Sequence, residues 1–181
     1  MATAEVKLEG RLAAPAWVVW SRLSDLEALA SWLDEADDIH VTGRGRFAKR
    51  RFRLGGRVVE DEVLELVPGR RLGLALRGLS PWLAGAYLRA DLLADDDGTR
   101  LVLKLHLAIR PRWLGPIVKP LVRLRAEVAL YRVLRAFRSW IEEQRAESAA
   151  GRAAISRPSS VRAGGRRLGA SSVESERLAA L

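Results

Sequence analysis

At 181 residues the chain has room for one domain with a substantial core and an appended segment. It has no cysteine, which excludes disulfides, thiolate nucleophiles and Cys-ligated metals, and no run reaches the ~18 apolar residues that a membrane span needs. The net charge of +9 argues modestly for an anionic partner, because only Lys7, Lys49, Lys104 and Lys119 of the 31 basic residues are lysine and the Arg, Ala and Leu skew reads as coding bias as much as selection for phosphate.

The opening MATAEVKLEGR has no apolar h-region, so no signal peptide is expected and the cytoplasm is the expected location. Residues 4–12 alternate, with Val6, Leu8 and Leu12 against Glu5, Lys7, Glu9 and Arg11, which predicts a strand with one wet face. Pro15 suits the first turn of a helix filled by Trp17, Val18, Trp20 and Leu23. Ser24 and Glu27 have capping-box spacing for a second short helix with Leu26, Leu29, Trp32 and Leu33 along one face.

Strands are expected next. Ile39 and Val41 point inward on a short one that ends at Gly43-Arg44-Gly45. A basic strand runs from Phe47 to Leu54, Gly55-Gly56 makes a hairpin turn, and an acidic strand runs from Val58 to Val67. After Pro68-Gly69, Leu72, Leu74 and Leu76 share a face of the strand from Arg71 to Gly78. A loop at Ser80–Gly85 leads to a strand from Ala86 to Ala94, with Leu88, Ala90 and Leu92 inward. Asp95-Asp96-Asp97-Gly98 turns the chain into the last strand, where Leu101, Leu103, Leu105, Leu107 and Ile109 alternate with Arg100, Val102, Lys104, His106, Ala108 and Arg110.

Pro111, Gly115, Pro116 and Pro120 interrupt the chain before a helix expected from about Leu121 to Arg145. Ala126, Leu130, Val133, Leu134, Phe137 and Ile141 fall on one face of it, and Leu121, Leu124, Val128 and Tyr131 on a second. From Glu147 onward Gly, Ser, Ala and Arg dominate without an apolar period, so residues 147–181 are expected to be a disordered basic tail behind a domain of residues 1–146. Six arginines against three glutamates give that tail +3 of the net charge of +9.

The order of these pieces resembles the START/polyketide cyclase (SRPBCC) superfamily over about residues 4–145. The pieces that carry it are Ala14-Pro15 with Val19-Trp20 and Trp32, then Glu65-Leu66-Val67-Pro68-Gly69-Arg70-Arg71-Leu72, then Asp97-Gly98-Thr99-Arg100-Leu101, and finally Leu134 to Glu143. The resemblance implies an α+β helix-grip fold: a curved antiparallel sheet of about six to seven strands wrapped around a long C-terminal helix, with two short helices after the first strand. It also implies a cavity for a small apolar molecule, lipid-like or aromatic. It names no reaction. No cofactor is expected.

That cavity is expected to be lined by Leu72, Leu74, Leu76, Leu103, Leu105, Leu130, Leu134 and Phe137, with Trp32, Trp82 and Tyr87 near its mouth. Trp113 is a further mouth candidate, and core filling is the reading for Trp17 and Trp20. Histidine is the first suspect for proton transfer, but strand parity directs both His40 and His106 outward, which argues against a His-based triad or a metal site.

The acidic strand is more informative. Glu60 and Glu62 share one parity and Asp61 takes the other, so a regular strand sends at least one carboxylate toward the concave side, where burial would raise its pKa and suit it to proton shuttling. A β-bulge, or pairing with Arg51, Arg53 or Arg57, is the competing reading. Arg44, Arg46, Lys49, Arg50, Arg51, Arg53 and Arg57 form the densest basic cluster, either a charged edge that prevents aggregation or an anion-binding strand centred on Arg51 and Arg53. An arginine turned inward would hold a ligand carboxylate or enolate.

Three functions follow. The first is a carrier or sensor of a small apolar ligand. The second is a polyketide cyclase or dehydratase that uses Glu60, Asp61 or Glu62 on a ligand held in the same cavity. The third, with nucleic acid or the ribosome as partner, rests on the basic strand and tail and is the least favoured.

Overall fold

The computed structural model describes residues 2–110 and 115–155. Seven antiparallel strands make one sheet: β1 (Ala2–Leu12), β2 (Ala36–Thr42), β3 (Lys49–Leu54), β4 (Arg57–Val67), β5 (Arg71–Arg77), β6 (Leu83–Asp95) and β7 (Gly98–Ile109), in the order β1-β7-β6-β5-β4-β3-β2. The short helix α1 (Ala16–Leu23) and a 3₁₀ helix (Glu27–Ser31) link β1 to β2, and the long helix α2 (Gly115–Ile155) follows β7. This is a helix-grip α+β fold. Among the described residues no helix is long and apolar enough to cross a membrane.

Every neighbour in the chain from β2 to β7 is a hairpin, and β1 closes against β7. Gly55 and Gly56 both have positive φ (55° and 78°), which a two-residue hairpin turn of this hand requires. That turn sets the register Leu54↔Arg57, and hence Arg50↔Asp61. Period-two alternation gives the sheet an apolar inner face, with Val6, Val63, Leu72, Leu74, Leu103, Leu105 and Leu107 buried, and a charged outer face.

Helix α2 crosses the inner face. It buries Ala126, Leu130, Leu134, Phe137 and Ile141, spaced as one helical stripe, and packs chiefly on β1. Gly10 permits the close approach, since a methyl group there would lie 2.7 Å from Leu134 Cδ2. The turn after β1 is tied at both sides: Thr99 Oγ1 donates to Ala14 O (2.7 Å) and Arg145 Nη1 to Ala13 O (2.6 Å).

Some local expectations differ from the structure. The 3₁₀ helix is capped by Asp25, whose Oδ1 accepts from Glu27 N and Ala28 N, and not by Ser24. Ser24 ends α1 instead and donates to Trp20 O. Helix α2 starts at Gly115 and carries Pro120 inside its second turn, so the prolines do not delay it to Leu121. Pro116 falls among the first four residues, whose N–H groups have no intrahelical partner, whereas Pro120 gives up one i→i−4 bond early in the helix. It also continues to Ile155, past the expected end at Arg145 and into the segment expected as tail. Residues 156–181 of that tail lie outside the described residues, as does Trp113. Trp17 is 73% exposed because α1, with eight residues, buries only Val19.

Candidate functional site: a buried Arg–Asp pair beside an open apolar seam

The core forms two clusters. The larger joins α2 to β1, β7, β6 and β5; the smaller comprises Leu29, Leu33, Ala36, Phe52 and Val59, where the 3₁₀ helix covers β2, β3 and β4. Trp32, Leu76 and Leu79 are half-buried and pack against both. Around them Leu54, Leu83, Leu88, Val122 and Val133 also keep part of their surface in solvent. Partly buried leucines on the core-facing side of a sheet mark a place where helix and sheet pack less tightly. Trp32 stands edge-on to Phe137 with ring centroids 5.1 Å apart, which fixes one wall of this seam.

One charged pair borders it. Asp61 lies between Val59 and Val63 on the inner face of β4, and its side chain is fully buried. Arg50 faces it from β3, donating to Oδ2 from Nε (3.1 Å) and Nη2 (2.5 Å) and to Leu26 O from Nη1 (3.1 Å). The guanidinium also lies over the Phe52 ring. Arg50 is thereby held by three hydrogen bonds and cannot swing away. The other carboxylate oxygen, Asp61 Oδ1, is buried and has no hydrogen-bond partner among the described residues. Burial pushes the Asp61 carboxyl up from its ordinary range, and the nearby Arg50 charge only partly offsets this.

Register then brings the pair to the seam. Asp61 is opposite Leu76 on β5, and Leu76 is opposite Ala86 on β6. The inner-face row therefore reads Val41, Arg50, Asp61, Leu76, Ala86, Leu107. A buried acceptor beside apolar surface that solvent can reach suits an apolar molecule carrying one hydrogen-bond donor.

The remaining candidates fall into three places. Leu72, Leu74, Leu103, Leu105, Leu130, Leu134 and Phe137 are buried in the larger cluster, behind the seam. Trp82 is half-exposed in the loop before β6. Tyr87 is on the outer face, because Ala86, Leu88 and Ala90 take the inward parity of β6; its ring lies against His106, and its hydroxyl sits over Gly73 near Glu65.

Glu60, Glu62, Arg51 and Arg53 also belong to the outer face, away from the seam. Arg51 pairs with Glu60 (4.0 Å) and Arg53 with Asp38 (3.7 Å). A depression of about 470 Å³ there is lined by His40, Thr42, Lys49, Arg51, Glu60, Glu62, Ala75 and Arg77, and it also touches Arg50 and Asp61. Its charges alternate from strand to strand and offset one another. Both histidines are exposed, His40 beside Asp38 and His106 beside Glu5. The inward arginine is Arg50, which sequence reasoning grouped with the edge charges. The signal that identifies it is the Gly55-Gly56 turn, which makes Arg50 the partner of Asp61.

Comparisons with known proteins agree with this architecture. No curated protein matches the chain. Among solved structures, the ZhuI aromatase/cyclase from Streptomyces sp. R1128 superposes with a TM-score of 0.68 at 17% identity, covering 78% of this chain and 95% of that one. A START superfamily protein from Mycobacterium smegmatis gives a TM-score of 0.61 at 21% identity (78% and 98% covered). A norcoclaurine synthase from Thalictrum gives 0.63 at 15% identity (79% and 96% covered). At such identities the likeness is one of fold. The family model described as "Polyketide cyclase / dehydrase and lipid transport" matches residues 3–142, and the chain belongs to that family.

Proposed function

We propose that the protein is a carrier or sensor that binds a small apolar molecule, lipid-like or aromatic, in the seam between the two core clusters. A hydroxyl of that molecule donates to Asp61 Oδ1. The observation that carries this reading is the unpartnered buried oxygen one strand away from half-buried Leu76. Burying apolar ligand surface contributes roughly 25 cal/mol per Å². A buried acceptor without a donor costs about 1–3 kcal/mol, which a ligand hydroxyl offsets. The family description, which joins cyclases to lipid transport, supports the ligand class.

A pair of probes of equal shape tests it: 2-naphthol against 2-methylnaphthalene, followed by fluorescence. The hydroxyl should improve affinity about tenfold, the equivalent of ~1.4 kcal/mol. The preference should vanish in Arg50→Met/Asp61→Leu, which replaces the ion pair by apolar groups. A preference that survives the double substitution would refute the role of Asp61.

One observation favours a second reading, a cyclase or dehydratase. The raised carboxyl of Asp61 retains its proton to higher pH than an ordinary aspartate. Next to an apolar seam such a group can pass a proton to and from a folded chain held there. In that reading Asp61 is the acid–base group, and Glu60 and Glu62 take no part. Turnover of a poly-β-ketone chain that Asp61→Asn abolishes while binding persists would establish it. Binding without turnover leaves the carrier reading.

A further inference from the structure

Helix α2 has a second apolar face that the sheet does not use. Leu121, Leu124, Val128 and Tyr131 are 46–58% exposed. Their spacing of three, four and three residues makes one stripe about 15 Å long, at a rise of ~1.5 Å per residue. The buried stripe through Ala126, Leu130 and Leu134 lies on the other side of the helix. Four large apolar side chains aligned on one exposed face are more than the scattered surface leucines of an ordinary domain.

The charges around this stripe are mostly positive. Arg125 and Arg132 each follow a stripe residue by one position and line one edge, and Arg135 continues the stripe one turn beyond Tyr131. All three are exposed. Arg132 pairs with Glu35 at 3.6 Å, while Arg125 and Arg135 have no ion-pair partner among the described residues. The other edge carries Glu127, which Arg123 neutralises at 2.9 Å. From residue 118 to residue 135 the basic residues are Lys119, Arg123, Arg125, Arg132 and Arg135, against Glu127 alone.

The chain places more apolar surface at the same end. Arg110 N donates to Trp82 O (2.7 Å), so the loop with half-exposed Trp82 is held beside the end of β7, five residues in the chain before α2 begins.

We propose that this face of α2 docks in the plane of an anionic lipid bilayer, with Leu121, Leu124, Val128 and Tyr131 in the headgroup–acyl boundary and Arg125, Arg132 and Arg135 on lipid phosphates. An apolar stripe bordered by guanidinium groups, two of them (Arg125 and Arg135) without an ion-pair partner among the described residues, is what such a surface attracts. A second copy of this chain would bring the same arginines toward one another, which argues against self-association through this face. Docking here would set the seam near the bilayer, a consequence that rests on the ligand reading; the docking itself does not.

The test uses the full chain and vesicles of phosphatidylcholine, alone or with 30 mol% phosphatidylglycerol. Co-sedimentation should occur with the anionic vesicles and weaken at high salt. The exposed double variant Leu124→Ser/Val128→Ser should lower partitioning about tenfold, with melting temperature and naphthol affinity unchanged. Arg125→Glu/Arg135→Glu should lower it as well. The proposal is overturned if the wild type ignores anionic vesicles, if the serine variant binds them equally, or if the stripe substitutions instead dissolve a dimer.

Discussion

Asp61 and Leu76 face each other across β4 and β5, so a buried carboxylate with one free oxygen and a half-buried leucine stand in the same inner-face row. The leucine is a partly buried residue between the two core clusters, and the carboxylate beside it keeps one oxygen without a hydrogen-bond partner among the described residues.

The Arg50–Asp61 pair should behave as buried ion pairs do when halved or replaced. Arg50→Met leaves Asp61 buried without a counter-charge and should cost about 3–5 kcal/mol in urea denaturation. Arg50→Met/Asp61→Leu should recover most of that loss or exceed wild-type stability. Equal stability of the single and double variants would mean that the pair is solvated in solution.

Acid titration separates two aspartates. Asp61 is raised above 3.8, so the unfolded chain releases this proton before the native state does, and stability falls as pH rises from about 3.8 to the native value. Asp91 has the opposite sign. Burial raises it, but hydrogen bonds from Arg71 (2.6 Å) and Arg89 outweigh burial and lower it below 3.8, so its contribution is present at neutral pH and lost on acidification. Asp91→Asn should therefore flatten the acid limb of a stability–pH curve, whereas Arg50→Met/Asp61→Leu should gain on wild type as pH rises above 3.8. Parallel curves for all three proteins would contradict both assignments.

Gly10 and Leu134 form the tight point between β1 and α2. Gly10→Ala should cost about 1–3 kcal/mol through overpacking against Leu134. Leu134→Ala alone should cost about 2–5 kcal/mol. The double variant should be less damaged than the two effects added, since each change relieves the other. Strict additivity in thermal melts would show that α2 does not approach β1 this closely.

Outer-face acids should be silent. Glu60→Gln/Glu62→Gln should leave naphthol affinity unchanged and stability within about 0.5 kcal/mol. A loss of binding in this variant would move the site to the outer depression.

Much of this was legible in the chain. Alternation alone places β7, with Leu101 to Ile109 inward, and it places Tyr87 outward once Leu88 and Ala90 are inward, although the family resemblance drew Tyr87 toward the cavity mouth. Parity on β4 also sends Asp61 away from Glu60 and Glu62. Its partner was harder to see, because a run such as Lys49-Arg50-Arg51 reads as a charged edge until the two-residue Gly55-Gly56 turn is counted back to Arg50. The seam was not legible. Leu76 and Leu74 have the same type and parity, and only the placement of Trp32, Leu79 and α2 leaves one open and the other covered. The start of α2 is hidden in the sequence because prolines in its first turns look like breaks, and its end because residues beyond Arg145 carry no apolar period.

Ligand entry between the two core clusters can be followed by a methyl-detected NMR titration of the full chain with 2-naphthol. The account predicts saturable shifts at Leu76, Leu79, Leu88 and Val133, with Val58 and Leu93 unmoved. Shifts confined to Val58 and the outer-face depression, or no saturable shift on the inner face, would contradict it.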